Sequence, residues 1–336
     1  MSKRLLSVGS FFGVLALPFL AFAHEVYVLD AATVRRAMAM QSPNPFDAIA
    51  GNEKTFLFWG FVTFVVFSTA LAASVFRPFE KRLDPTLHRL KKYALPVARV
   101  TVGLCFLAFA YSGNLYGSEL FLAQGFGAAA PYIQLLLGVL GVAATIGFAT
   151  RAAGAGMLLI YAAAWGAYGS YMLTYTDFLG AAALITILGG GLYSIDAHIG
   201  WEPFKVLARV TTALRPFAFP VARICFGWGV LFASIYAKYL HSELAYQVVV
   251  QYDLTRFFPF DPLFVVLGAL IIEFLAGSMV LFGVAIRWTL LFLAFWLTLS
   301  LMYFQELIWP HGILFGLAIA LFLHGYDRYS LQGRFF

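Results

Sequence analysis

"FPVARICFGWGVLFASIYAKYLHSEL" (residues 219–244) lies without a gap on "LPVARVTVGLCFLAFAYSGNLYGSEL" (residues 95–120). Pro96, Arg99, Ser118 and Glu119 recur 124 residues later as Pro220, Arg223, Ser242 and Glu243. Further on, "GFATR" ending at Arg151 matches "GVAIR" ending at Arg287, an offset of 136. Gly189 and Ser194 match Gly325 and Ser330 at that same offset. The twelve extra residues fall within 245–262, which reads as a loop. The chain is therefore duplicated, and the question becomes what kind of unit was copied.

Composition answers part of it. Of 336 residues, 62% are hydrophobic and 11% charged, with mean hydropathy +0.85. A soluble domain carries about 25% charged residues. Too few polar groups remain here to cover a globule, so lipid must be the solvent for most of the surface. The net charge of +6 resides in short loops, where it orients a membrane protein; it does not point to nucleic acid. Cys105 and Cys225 lie singly in apolar runs, which excludes a disulfide framework and reads as small buried hydrophobes.

Apolar runs long enough to cross ~30 Å of hydrocarbon fall near 55–76, 95–117, 132–150, 154–173, 176–195, 219–240, 263–286, 288–305 and 308–325. The reading is an all-α membrane protein of about nine spans: a lead helix and two four-helix units. An even helix number per unit makes the two copies parallel. Residues 1–23, with Lys3 and Arg4 ahead of an apolar core and Ala21-Phe22-Ala23 at its end, read as a secretory signal peptide. Cleavage would leave His24 outside at the head of an arm spanning 24–54. A terminal histidine can chelate copper, but that site needs a further histidine, and 24–52 contains none. Residues 77–94 then form a basic cytoplasmic loop and 196–218 a cytoplasmic linker. Lys and Arg concentrate there and in the other inner turns, so the positive-inside rule is met; in an inner-membrane setting, an odd span count with the N-terminus outside puts the C-terminus in the cytoplasm.

One span carries a charge. Glu273 interrupts "LGALIIEFLAGSMVLFGVAIR" (267–287), at a cost of roughly 2.5 kcal/mol or more at mid-membrane depth. It lies fourteen residues before Arg287, and Lys238 lies fifteen residues after Arg223. At ~1.5 Å per residue both stand ~21–22 Å above the arginine level. Each answers the other's desolvation, as a buried ion requires. In the first copy their counterparts are Asn114 and Leu137, so acid and base are absent together. Tyr303, Gln305, Glu306, His311 and His241 also replace less polar counterparts (Ala167, Gly169, Ser170, Tyr175 and Gly117), while Glu243 keeps Glu119. The second unit therefore reads as carrying an outward-opening polar pocket, and the first as scaffold. The same residues also fit a structural ion pair flanked by interfacial aromatics. No two histidines face each other at a spacing suited to haem, and no nucleotide-binding or nucleophile motif stands in context.

Arg223, Lys238 and "IIEFLAGSMVLFGVAIR" with its terminal Arg287 resemble the DoxX/DoxD superfamily of four-helix membrane proteins, clearly over 219–330 and less so over 95–194, where Asn114 and Leu137 depart from its pattern. That resemblance implies two fused DoxX-like bundles and a role in a quinone- or sulfur-linked redox complex. Glu273 and Lys238 would then set charge and move protons. Tyr303, Gln305, Glu306, His311, His241 and Glu243 would contact the substrate, with a quinone as the cofactor and other membrane subunits as partners. Two further readings stay open: a transporter or metal-handling protein using His24, His241 and His311, and a non-catalytic assembly scaffold.

Overall fold

The computed structural model describes residues 28–29, 31–52, 55–200, 205–305 and 308–332. The signal segment, His24, Glu306 and Arg334 lie outside the described residues. The fold is all-α except for a two-stranded ribbon, β1 (Asn114–Leu115) with β2 (Gly117–Phe121). Two short helices come first, α1 (Ala31–Ala39) and α2 (Asp47–Asn52), followed by a long one, α3 (Phe56–Leu90). The first half holds α4 (Ala94–Ser112), α5 (Leu122–Phe126), α6 (Ala130–Ile146), α7 (Thr150–Tyr168) and α8 (Thr176–Leu188). After α9 (Ile195–Ile199) and α10 (Lys205–Thr212), the second half holds α11 (Ala218–Ile235), α12 (Ser242–Gln251), α13 (Pro262–Phe282), α14 (Ile286–Phe304) and α15 (Ile308–His324).

Among the described residues six helical stretches are long and apolar enough to cross a membrane: Pro78–Ser112, Leu122–Ile146, Thr150–Leu188, Arg215–Leu240, Pro262–Phe282 and Ile286–Phe304. The nine separate spans expected from hydropathy are thus six by this measure. Thr150–Leu188 joins α7 and α8 through a 3₁₀ segment, Gly169–Tyr175. At 13 residues α8 covers only ~20 Å, and α15 has 17 residues. Large apolar side chains such as Leu135, Val139 and Phe295 stand exposed on outer helix faces, as lipid contact requires. The chain is an all-α, multi-pass membrane protein.

The duplication is visible in equivalent contacts. Arg99 donates to the carbonyls of Ala144 and Thr145 at 2.9 and 3.0 Å. Arg223 donates to those of Val280, at 3.1 Å, and Leu281, their counterparts at the 136 offset. Arg151 reaches the Thr186 carbonyl at 3.1 Å, and Arg287 reaches that of Phe322, again the counterpart, at 3.1 Å. A Cβ on Gly103 would lie 2.9 Å from the Gly141 carbonyl oxygen, and one on Gly227 2.8 Å from that of Gly277. These glycines let α4 approach α6, and α11 approach α13, backbone to backbone.

The halves are interleaved. α8 packs most extensively on α11 of the other half, and α15 on α4, so each fourth helix crosses to the opposite unit. The exchange is reciprocal, which makes the two halves related by an approximate two-fold rotation. Helices also occupy both stretches read as cytoplasmic loop and linker. α3 continues through Pro78 and Pro85 to Leu90 because its far end packs on the second half. Arg287 Nη1 meets Glu80 Oε1 at 3.3 Å and Asp84 Oδ1 at 2.9 Å. In the linker, α10 presents Thr211 Oγ1 to Arg151 Nη1 at 2.8 Å. Of the extra loop, 245–251 belongs to α12, which packs on α1 and α13.

Candidate functional site

Lys238 lies where the two copies end their first helix differently. In the first half α4 stops at Gly113, whose left-handed φ of 72° ends the helix and turns the chain into β1. The second half has Ala237 there, and α11 runs on into a π-helical turn, Tyr236–Leu240. That turn holds Lys238 inside the bundle, 5% exposed. One-turn π segments often occur at functional sites.

Lys238 Nζ lies 2.8 Å from Glu273 Oε2. The other carboxylate oxygen, Oε1, receives Trp296 Nε1–H at 3.3 Å. Cation and anion share one level on adjoining elements, as the helix rise requires, and neither faces lipid. Charge-assisted hydrogen bonds of this kind compensate the loss of water around both groups.

Glu273 borders a cavity of about 90 Å³. Trp296 and Leu297 of α14, His311 and Leu314 of α15, and Gly229 and Ala233 of α11 line it from the second half. Tyr171, Tyr175 and Asp177 line it from the first. The cavity draws on both halves: α8, which crosses between them, brings Asp177, and the 3₁₀ segment ahead of it brings Tyr171 and Tyr175. Tyr171 donates to Glu119 Oε1 at 2.9 Å, and Tyr175 donates to the same oxygen.

The candidate residues distribute as follows. Glu273 and His311 border the cavity, with Lys238 directly behind Glu273. The His241 ring lies 4.6 Å from that of Tyr236, a lining residue, and so stands one layer back. Glu243 accepts from Gln247 Nε2 at 2.7 Å on α12. Tyr303 donates to the Tyr252 carbonyl at 3.0 Å, two helical turns beyond Trp296, and Gln305 is the left-handed cap of α14. Glu306 is among the undescribed residues. Among the described residues no group of three or more His, Cys, Asp or Glu is placed to hold a metal.

Reading the sequence by halves misses Asp177, Glu119, Tyr171, Tyr175 and Trp296. A signal existed for Asp177. It is an isolated acid opening the apolar run "FLGAAALITIL", the same anomaly that singles out Glu273.

The N-terminal residues cover this end of the second half. Val28, Leu29 and Ala37 bury against Leu244 and Val248. Tyr252 donates to the Val28 carbonyl at 3.1 Å, and Ser242 to that of Pro43.

No protein-family model, no curated protein and no solved structure matches this chain. Fold and site together define a multi-pass, all-α membrane protein with an ion-paired carboxylate beside a cavity shared by two duplicated halves.

Proposed function

We propose that this chain is a DoxX-like subunit of a quinone-linked redox complex in the inner membrane, and that the cavity takes a quinone-class head group. In this reading the arginine end faces the cytoplasm, the cavity end faces outward, and electrons are carried by a partner subunit. The observation that carries the proposal is the composition of the cavity wall. It pairs flat aromatic surface (Trp296, Tyr171, Tyr175) with fixed polar groups (Glu273 and His311) inside apolar surroundings. Ring-shaped ligands with polar oxygens are held in sites of this type. An engineered apolar cavity of ~150 Å³ admits benzene. At about 90 Å³, this cavity is smaller than that, so a single-ring head group enters only as the lining side chains move apart. Lys238 and Trp296 hold Glu273 oriented, so its remaining lone pairs are directed rather than mobile.

The test is titration of the purified protein in mild detergent with a short-tailed benzoquinone, followed by tryptophan fluorescence. Saturable quenching that largely disappears in Trp296→Phe supports the site. A linear, unsaturable response identical in both proteins would end the proposal. Two alternatives have their own signatures. Metal handling requires retention of added copper or zinc that falls when His241 and His311 are removed. A pure assembly scaffold requires that Lys238→Glu combined with Glu273→Lys restore both folding and complex activity.

A further inference from the structure

We infer that the cavity is built for the hydrogen-bond-donating form of its ligand, a hydroquinone hydroxyl rather than a quinone carbonyl, with Asp177 as the acceptor. The inference rests on the reading of the cavity as a quinone-class site and names which redox form it prefers. Asp177 is 4% exposed, and its Oδ1 atom has no hydrogen-bond donor among the described residues. A buried acceptor left unmet sacrifices its hydration with nothing in return, and such groups call for an explanation. Of the other carboxylates near the cavity, Glu119 also has one oxygen, Oε2, without a hydrogen-bond donor among the described residues, but it does not line the cavity. Glu273 receives Lys238 and Trp296, and Glu119 receives Tyr171 and Tyr175.

Location gives the orphan its meaning. Asp177 lines the same cavity as Glu273, from the first turn of α8, where helix N–H groups favour an anion. The wall beside it is cut back. A Cβ on Gly229 would sit 3.5 Å from the Asp177 backbone nitrogen and 3.2 Å from Thr176 Oγ1. Gly229 stands where the first half carries Cys105, and Asp177 itself has an isoleucine counterpart, Ile313. Neither the acid nor the space beside it is thus a requirement of the duplicated scaffold. A quinone presents only acceptors and would leave the unmet oxygen of an ionised Asp177 without a donor. A hydroquinone presents two O–H donors, one able to serve Asp177 and the other Glu273 or His311.

The experiment is anaerobic calorimetric titration of the full chain with one short-tailed benzoquinone and its hydroquinone, in wild type, Asp177→Asn and Asp177→Leu. Wild type is expected to bind the hydroquinone at least ten-fold more tightly. Both variants should lose that preference while binding the quinone as well as wild type does or better. Retained quinone binding in both variants shows that lost preference is not lost folding. Equal affinity for the two forms in wild type overturns the inference and leaves the cavity proposal standing, as does a preference that survives Asp177→Leu. Binding of neither form overturns both.

Discussion

The two halves agree at one end and diverge at the other. At the arginine end, Arg99 and Arg223 hold counterpart carbonyls, and so do Arg151 and Arg287. At the opposite end the first half is filled. Phe109, Tyr116 and Phe178 form a sealed cluster with ring centroids 5.7, 5.3 and 4.9 Å apart, and none is more than 2% exposed. Their counterparts are Ala233, Leu240 and Leu314, with Leu297 in place of Tyr161. Where aromatic rings close the first copy, the second has small and branched residues, a cavity, and the Lys238–Glu273 pair. The lesson is that the scaffold's geometry lives in the arginine-to-carbonyl contacts. The far end, relieved of that task, became a plug in one copy and a polar recess in the other.

The comparison can be broken most severely at the ion pair. Lys238→Ala or Glu273→Ala leaves one buried charge unmatched and should cost about 3–5 kcal/mol. The double variant Lys238→Asn with Glu273→Leu, which installs the first half's residues, should recover most of that. Thermal melts of the four proteins in detergent decide it; additive losses would mean that the two groups are not coupled.

Opening the plug comes next. Phe109→Ala removes a ring packed on Tyr116 and Phe178 and should destabilise by roughly 3–5 kcal/mol through transfer and cavity terms. A loss below about 1 kcal/mol would show that this end of the first half is not tightly filled. The converse graft, Ala233→Phe, should leave folding within about 1–3 kcal/mol of wild type. It should weaken quinone-class binding at least ten-fold, about 1.4 kcal/mol. Unchanged affinity would place the ligand elsewhere. The smallest effect is expected at Tyr303, 43% exposed and bonded only to a loop carbonyl among the described residues. Tyr303→Phe should cost about 0.5–1 kcal/mol and leave ligand affinity untouched, whereas a ten-fold loss would pull the cavity outward by two helical turns.

Much of this was legible beforehand. Glu273 and Lys238 could be paired because helix rise is constant and the arginines supply a common datum. The divergence of Asn114 and Leu137 from them was equally plain in the alignment. The polar cluster was legible in height but not in azimuth. Tyr303, His241 and Glu243 share an end of the bundle with His311, yet Tyr303 bonds to the Tyr252 carbonyl, His241 packs on Tyr236 and Glu243 bonds within its own helix. α3 reads as stopping near residue 76 because hydropathy falls there. It continues because Glu80 and Asp84, one turn apart, both reach Arg287, a partner more than 200 residues away.

Hydropathy, helix period and residue matching along the chain determine that this chain lives in lipid, that it is helical, that it was duplicated, and that its buried acid has a buried base at the same height. These are properties of single segments, and helix pitch converts them into depth without knowledge of neighbours. The exchange of α8 and α15 between halves, the cavity that draws walls from both, and the unmet acceptor on Asp177 belong to tertiary structure. An empty space or an unfilled hydrogen bond is a difference between side chains brought together from distant parts of the chain, and no local pattern encodes which of them will meet.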